Sequence, residues 1–346
     1  MTYRFKLQEP LASGVSRIGL EQVDIAEARL VRNDDIATAI HDSRRCLKRL
    51  RALLRLVRPV LDERTFRREI KRVAAVGKQL AGARDHHVML QTLAKLEHRF
   101  GALPNGAGMQ LKKLMANGRG PSSRRASALE RRQALAGLEQ TRAFFARAAH
   151  KTIALAQVTE GMERAYRKAR RAFRAAYESP SDEAFHSWRK ATQQHWRHMQ
   201  LLSRGWPEVL GGRAAEAKEL SRLLGDDHDL AVLLAFVTDR GKAVPSPDDP
   251  AALAQLCRSC QSDLRDLAKP YGDRLFAERP GDLSESVERY WSAARRLSTL
   301  APCMEDAVPA VKRETATQQR GARAARSAAQ AASRGSRGPR SRRSGR

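Results

Sequence analysis

Residues 40–58, IHDSRRCLKRLRALLRLVR, narrow what this chain can become more than any other stretch. Placed on a helix at 100° per residue, they sort into two faces. His41, Arg44, Arg45, Lys48, Arg51 and Arg55 fall within a wedge of roughly 120°, and Ile40, Leu47, Leu50, Leu53, Leu54 and Val57 point the other way. Side chains at i and i+4 stand about 5–6 Å apart, and each like-charged pair at that spacing costs a few tenths of a kcal/mol. No acid interleaves the cationic face. Such a helix needs a core under its apolar side and either solvent or an anion over the other.

The arrangement occurs twice. In FHSWRKATQQHWRHMQLLSR (185–204), His186 matches His41, Arg189 matches Arg44, and Lys190 matches Arg45. Gln193 and Trp196 stand where the first copy has Lys48 and Arg51, so the second row is thinner. Arg197 and Arg204 extend the same face, while Phe185, Trp188, Thr192, Met199 and Leu202 make the apolar one. Downstream, RDHHV (84–88) answers HDLAV (228–232). Asp85 follows His41 by 44 positions, and Asp229 follows His186 by 43. Two landmarks kept at matching separations indicate an internal duplication.

H-x-x-R-[RK] opening a helix in both halves, followed by L-x-G-x-R-D in one and L-G-D-x-H-D in the other, resembles the CHAD family, the conserved-histidine α-helical domain. The resemblance covers roughly residues 5–300, and KRLRALLRLVR and LLGDDHDLAVL are its most specific pieces. It implies an all-α fold: two pseudo-symmetric four-helix bundles flanking a basic groove. It also implies binding of inorganic polyphosphate and association with polyphosphate granules. The repeats would be about 1–120 and 121–315, followed by a disordered Arg-rich tail (316–346).

Charge agrees with a polyanionic partner. Lys+Arg of 65 against Asp+Glu of 38 gives +27, and the last 26 residues hold only eight of those charges. The excess on the body therefore suits nucleic acid, polyphosphate or an anionic membrane surface. Four cysteines in 346 residues make no disulfide framework, and C-R-S-C (257–260) is a lone pair without a zinc partner set. MTYRFKLQEP lacks the apolar stretch of a signal peptide, and no run nears 18 apolar residues, so a cytoplasmic protein is expected.

Helices are expected over about 10–31, from Asn33-Asp34 to Pro59, over 63–81, and from Asp85 through Leu96. Gly and Pro break the chain over 101–123, where one short helix fits. Helices then resume through Leu129–Phe145 and about 151–177, before Ser179-Pro180-Ser181-Asp182 caps the second histidine helix. Further helices are expected near 211–223, 228–240, 250–276 and 282–300. Asp85 and Asp229 are assigned to capping or to orienting a basic neighbour. His195 is expected in the core, His198 falls off the basic wedge, and His86 and His87 stay unassigned.

The candidate polyphosphate ligands are His41, Arg44, Arg45, Lys48, Arg51, Arg55, His186, Arg189, Lys190 and Arg197, with Arg84 and His228 added because they head the paired turns. Guanidinium grips phosphate oxygens bidentately, and ammonium acts as a point charge. The expectation is a non-catalytic binding protein without a cofactor. The nearest rival is nonspecific nucleic-acid binding, to which the tail would contribute weakly. A metal-dependent HD-type phosphohydrolase would use the His-Asp pairs at 41–42 and 228–229, but a cation row repels a divalent metal. The E-x-E-x-K signature of a fused triphosphatase is missing from the first eight residues.

Overall fold

Apolar side chains recur every three to four positions through most of the chain, and each such run is a helix. The computed structural model describes residues 3–31, 36–80, 85–101, 103, 109, 112, 123–240 and 248–305. Among them are ten α-helices and no strand. In order these are α1 (Leu11–Val31), α2 (Ile36–Leu56), α3 (Glu63–Gln79), α4 (Asp85–Phe100) and α5 (Ser123–Ala148). Then come α6 (Leu155–Glu178), α7 (Asp182–Leu202), α8 (Pro207–Arg240), α9 (Asp248–Leu275) and α10 (Pro280–Glu305). Residues Met1–Arg295 make one compact unit. The Arg-rich tail lies outside the described residues. Among those described, no helix is long and apolar enough to cross a membrane.

Helix ends follow local chemistry. Pro59 stops α2 in a short 3-10 turn, and Asp62 then opens α3 by accepting from the Thr65 amide at 2.8 Å. Ser181 opens α7 in the same way, accepting from the Ala184 amide at 3.2 Å. Asp182 and Glu183 follow in its first turn, where the helix dipole favours negative charge. α4 begins at Asp85, whose side chain, like those of His86 and His87, is outside the described residues. So are Asn33 and Asp34.

One expected boundary is absent. The chain runs as a single helix from Pro207 to Arg240, so G-D-D-H-D (225–229) is helix interior and Asp229 caps nothing. The apolar period explains this. Ala217, Leu220 and Leu224 before the string, and Leu230, Leu233 and Val237 after it, are all buried at unbroken helical spacing. At about 1.5 Å per residue, α8 is long enough to serve two hydrophobic clusters. Its first half joins the main core, which holds Phe5, Phe145, Tyr166, Phe185 and Trp188. Its second half packs with Met89, Leu93 and Leu96 of α4 and Leu253, Cys257 and Cys260 of α9. The polar string occupies the seam between the two.

α2 packs against α1, α3, α6 and α7, and α7 packs against α6 and α8. The N-terminal segment ties α2 to α7: Tyr3 donates its hydroxyl to the Arg49 carbonyl at 2.8 Å, and the Phe5 amide donates to Leu201 at 3.0 Å. Where α6 crosses the end of α2, Gly161 leaves no room for a side chain, because a Cβ there would lie 1.9 Å from the Leu56 carbonyl oxygen. Gly161→Ala is expected to cost about 1–3 kcal/mol in urea unfolding, through backbone displacement. Gly211→Ala in α8, where a Cβ meets open space, should stabilise by about 0.5–1 kcal/mol in the same measurement.

Candidate functional site

The outward stripe of α2 is set by the face it buries. With Leu47, Leu50, Leu53 and Leu54 in the core, Arg44, Lys48, Arg51 and Arg55 turn towards α7. A cavity of about 230 Å³ lies between the helices, lined by Arg44, Lys48 and Arg51 from α2 and by His186, Arg189, Lys190 and Gln193 from α7. His228, Asp229 and Val232 of α8 and Val88 of α4 complete it. A second cavity of about 150 Å³ continues past Lys48, Arg51 and Lys190 to Arg55, Arg197 and Lys168. A third, of about 250 Å³, leads from Arg44, Lys48 and Arg51 towards Gly77 and Lys78 of α3. Lys48 and Arg51 line all three, so the cavities form a track along α2, about 16 Å from Arg44 to Arg55.

The guanidinium groups are held by carbonyls and rings. Arg44 Nη1 donates to the Gly77 carbonyl at 2.8 Å, one of the last four carbonyls of α3, which lack helical donors. Arg197 Nη1 donates to the Gln193 carbonyl at 2.6 Å, and its guanidinium lies 4.5 Å from the Trp196 ring centre. Arg189 spreads over Gly225, with guanidinium atoms 3.7–4.0 Å from where a Cβ would sit. Among the described residues, no carboxylate forms an ion pair with Arg51, Arg55 or Arg197, although Arg197 is only 5% exposed. Elsewhere the chain matches its charges: Arg142 reaches Asp24, Glu27 and Glu139, and Arg17 reaches Glu9 and Glu21.

That mismatch is visible in the electrostatics. Burial lowers the pKa of Arg51. It brings Arg55 to about 10, helped by Arg51, and Arg197 to about 10, where Arg49 and Arg51 also push down and Tyr3 pushes up. These groups stay charged at neutral pH, and they are raised in energy by lost hydration and by one another.

His186 and His228, from different helices, stack with ring centres 4.0 Å apart and planes 25° apart. Burial lowers the pKa of His186, with Lys190 and Arg189 adding to it. Burial, then His186, Arg189 and Lys190, bring His228 to about 4. A buried network places the pair. Asp227, beside His228, accepts from Arg265 Nε at 2.7 Å, and Arg265 Nη2 reaches Asp182 at 2.5 Å. Gln261 donates to Asp182 at 3.1 Å, and Arg265 lies 4.3 Å from the Phe185 ring centre. The start of α7 is thereby fastened to the middle of α8. Burial raises the pKa of Asp227 in spite of Arg265.

Not every expected ligand is in the track. Arg45 turns to Asp42 at 3.2 Å, which also takes Arg29 at 3.2 Å, and Arg45 lines none of the three cavities. The physical reason is rotation: Arg45 sits 100° round from Arg44, towards α1. His41 is exposed at the start of the stripe and lines none of them either. Arg84 lies outside the described residues. Lys168, Lys78 and Asp229 also line the track, outside the twelve expected ligands. For Lys168 a signal exists: Arg164 and Arg167 each follow a glutamate by four positions and pair with it, whereas Lys168 has Arg164 there.

The remaining two histidines of α7 are core groups. His195 is fully buried beside Tyr166 and Phe276, with ring centres 5.2 and 5.8 Å away. His198, also buried, donates from Nε2 to the Ala52 carbonyl at 2.9 Å and so sets the spacing of α7 from α2. Burial first, with Arg55 and Arg197 adding, brings its pKa to about 4. An unfolded histidine titrates near 6.5, so the unfolded chain takes the proton first. Stability from this ring is complete above about pH 6.5 and falls as pH drops towards 4, by up to about 3 kcal/mol. A Tm series over that range should fall less steeply for His198→Asn than for the wild type.

A comparison with curated proteins finds no match. Among solved structures, the crystal structure of the CHAD domain from the plant Ricinus communis aligns at a TM-score of 0.47 and 16% identity, covering 84% of this chain and 94% of that one. The family model of the CHAD domain matches residues 18–238, well over half of the chain, including both histidine helices and every residue that lines the track. The chain belongs to the CHAD-domain family.

Proposed function

We propose that this protein binds inorganic polyphosphate along the track between α2 and α7, without chemical turnover, and that such binding attaches it to polyphosphate granules. The observation that carries the reading is the meeting of both cationic rows at one cavity, with Arg44, Lys48 and Arg51 on one wall and Arg189 and Lys190 on the other. A phosphate string offers about one negative charge per unit and little else to recognise. A run of cations backed by rigid helices suits it, with guanidinium forks on phosphate oxygens and ammonium groups between them. Arg51, Arg55 and Arg197, already short of hydration through burial, would gain charge-assisted hydrogen bonds from such a ligand.

Asp42 supports the non-catalytic reading. A phosphohydrolase of the HD type would need His41-Asp42 and His228-Asp229 round one metal, yet Asp42 is engaged by Arg29 and Arg45 and only the second pair faces the cavity. Phosphate release from tripolyphosphate with Mg²⁺ or Mn²⁺, lost in His228→Ala, would overturn it.

A ligand at 100 times its Kd stabilises the folded state by about 2.7 kcal/mol, so polyphosphate should raise Tm by about 5 °C. Orthophosphate at equal phosphorus should raise it far less, and equal shifts would remove the case for a multivalent track. Affinity should fall steeply with salt, and labelled polyphosphate should resist competition by DNA at fixed salt. Arg44→Glu with Arg189→Glu should weaken polyphosphate binding by at least about 100-fold while far-UV circular dichroism stays unchanged, since two charge-assisted contacts of about 1.5–3 kcal/mol each are lost.

A further inference from the structure

We propose that the stacked His186–His228 pair couples occupancy of the track to protons, so that a bound phosphate chain draws one proton onto the pair and holds tighter as pH falls. The inference rests on the polyphosphate reading and adds its regulation.

The geometry limits the pair to one proton. With ring centres 4.0 Å apart, two imidazolium ions would repel strongly, so the rings titrate as a unit. Asp182, Asp227 and Arg265 hold α7 to α8, so the rings cannot simply part. Among the described residues, the charged groups facing the pair are Arg44, Lys48 and Arg51 of α2, Glu183, Arg189 and Lys190 of α7, and Asp229 of α8, while α4 contributes Val88. Burial first, and then Arg189 and Lys190 against the single opposing Glu183, disfavour a proton on either ring in the free protein. His186 Nδ1 is buried with no hydrogen-bonding partner among the described residues, so no protein acceptor there rewards a proton.

A phosphate chain reverses this balance. It brings about one negative charge per phosphate to within a few ångströms and supplies acceptor oxygens. The pair's pKa therefore rises on binding. Its contribution to affinity is complete below the free pKa, about 4 at His228, and is lost as pH climbs through the raised value in the complex.

The test is calorimetric titration of the full chain with long-chain polyphosphate, whose inner phosphates stay ionised, at about pH 5.5, 6.5 and 7.5, each in two buffers of different ionisation heat. Uptake should be about half to one proton at the lowest pH and near zero at the highest, so Kd should fall about three- to tenfold per unit drop in pH at the acid end and hardly change near pH 7.5. His186→Asn with His228→Asn should remove both the uptake and the slope. Binding without buffer dependence, or uptake unchanged in the double variant, overturns the inference while leaving the polyphosphate reading intact. Failure to bind at every pH sinks that reading and this one with it. Should the double variant misfold, NMR titration of the wild-type histidine rings decides: the pair's pKa must rise on adding polyphosphate, and no rise overturns the proposal.

Discussion

Like charges do not gather unless something stronger holds them, and here the stronger force is apolar burial beneath each row. Leu47, Leu50, Leu53 and Leu54 under α2, and Trp188, Met199 and Leu202 under α7, are withdrawn from water. At about 1.5–3 kcal/mol per fully buried large side chain, this outweighs repulsions of a few tenths of a kcal/mol between neighbouring cations. The helices cannot roll to separate their charges without exposing these side chains. The clamps between them act in the same sense: Tyr3 on Arg49, Phe5 on Leu201, and His198 on Ala52. Electrostatic strain is thus stored where a polyanion would relieve it.

α8 plays a different part. It is one helix serving two hydrophobic clusters, and its polar middle falls where neither cluster needs an apolar side chain. Asp227 uses the inward position of that seam to fasten α9 through Arg265, while His228 and Asp229 face the cavity. These three neighbours therefore do structural and site work at consecutive positions, because a helix turns each by 100° to a different surrounding.

How much of this could be read from the sequence differs by kind of feature. The all-α class, most helix limits and the apolar faces of α2 and α7 follow from periodicity, because the helical repeat is a property of the local chain. The matched spacing of histidine, arginine and aspartate marks paired cationic rows within the sequence itself. The expected break in α8 is absent, since G-D-D-H-D carries the residue types of a turn while the apolar period on either side continues through it. Local composition and long-range burial competed there, and burial prevailed.

What the sequence determined by itself is which side chains share a helix face. It could not determine what each face meets, because Arg44 and Arg45 differ by one step of rotation and only the neighbouring helix distinguishes them. The fold sends Arg44 to the Gly77 carbonyl and the cavity, and Arg45 to Asp42. It also made a core group of His198, whose partner on Ala52 lies 146 positions away, and brought Lys168 and His228 to the same track from separate helices. Charge and periodicity are written along the chain, whereas desolvation and pairing depend on residues far apart in it, which only packing brings within reach.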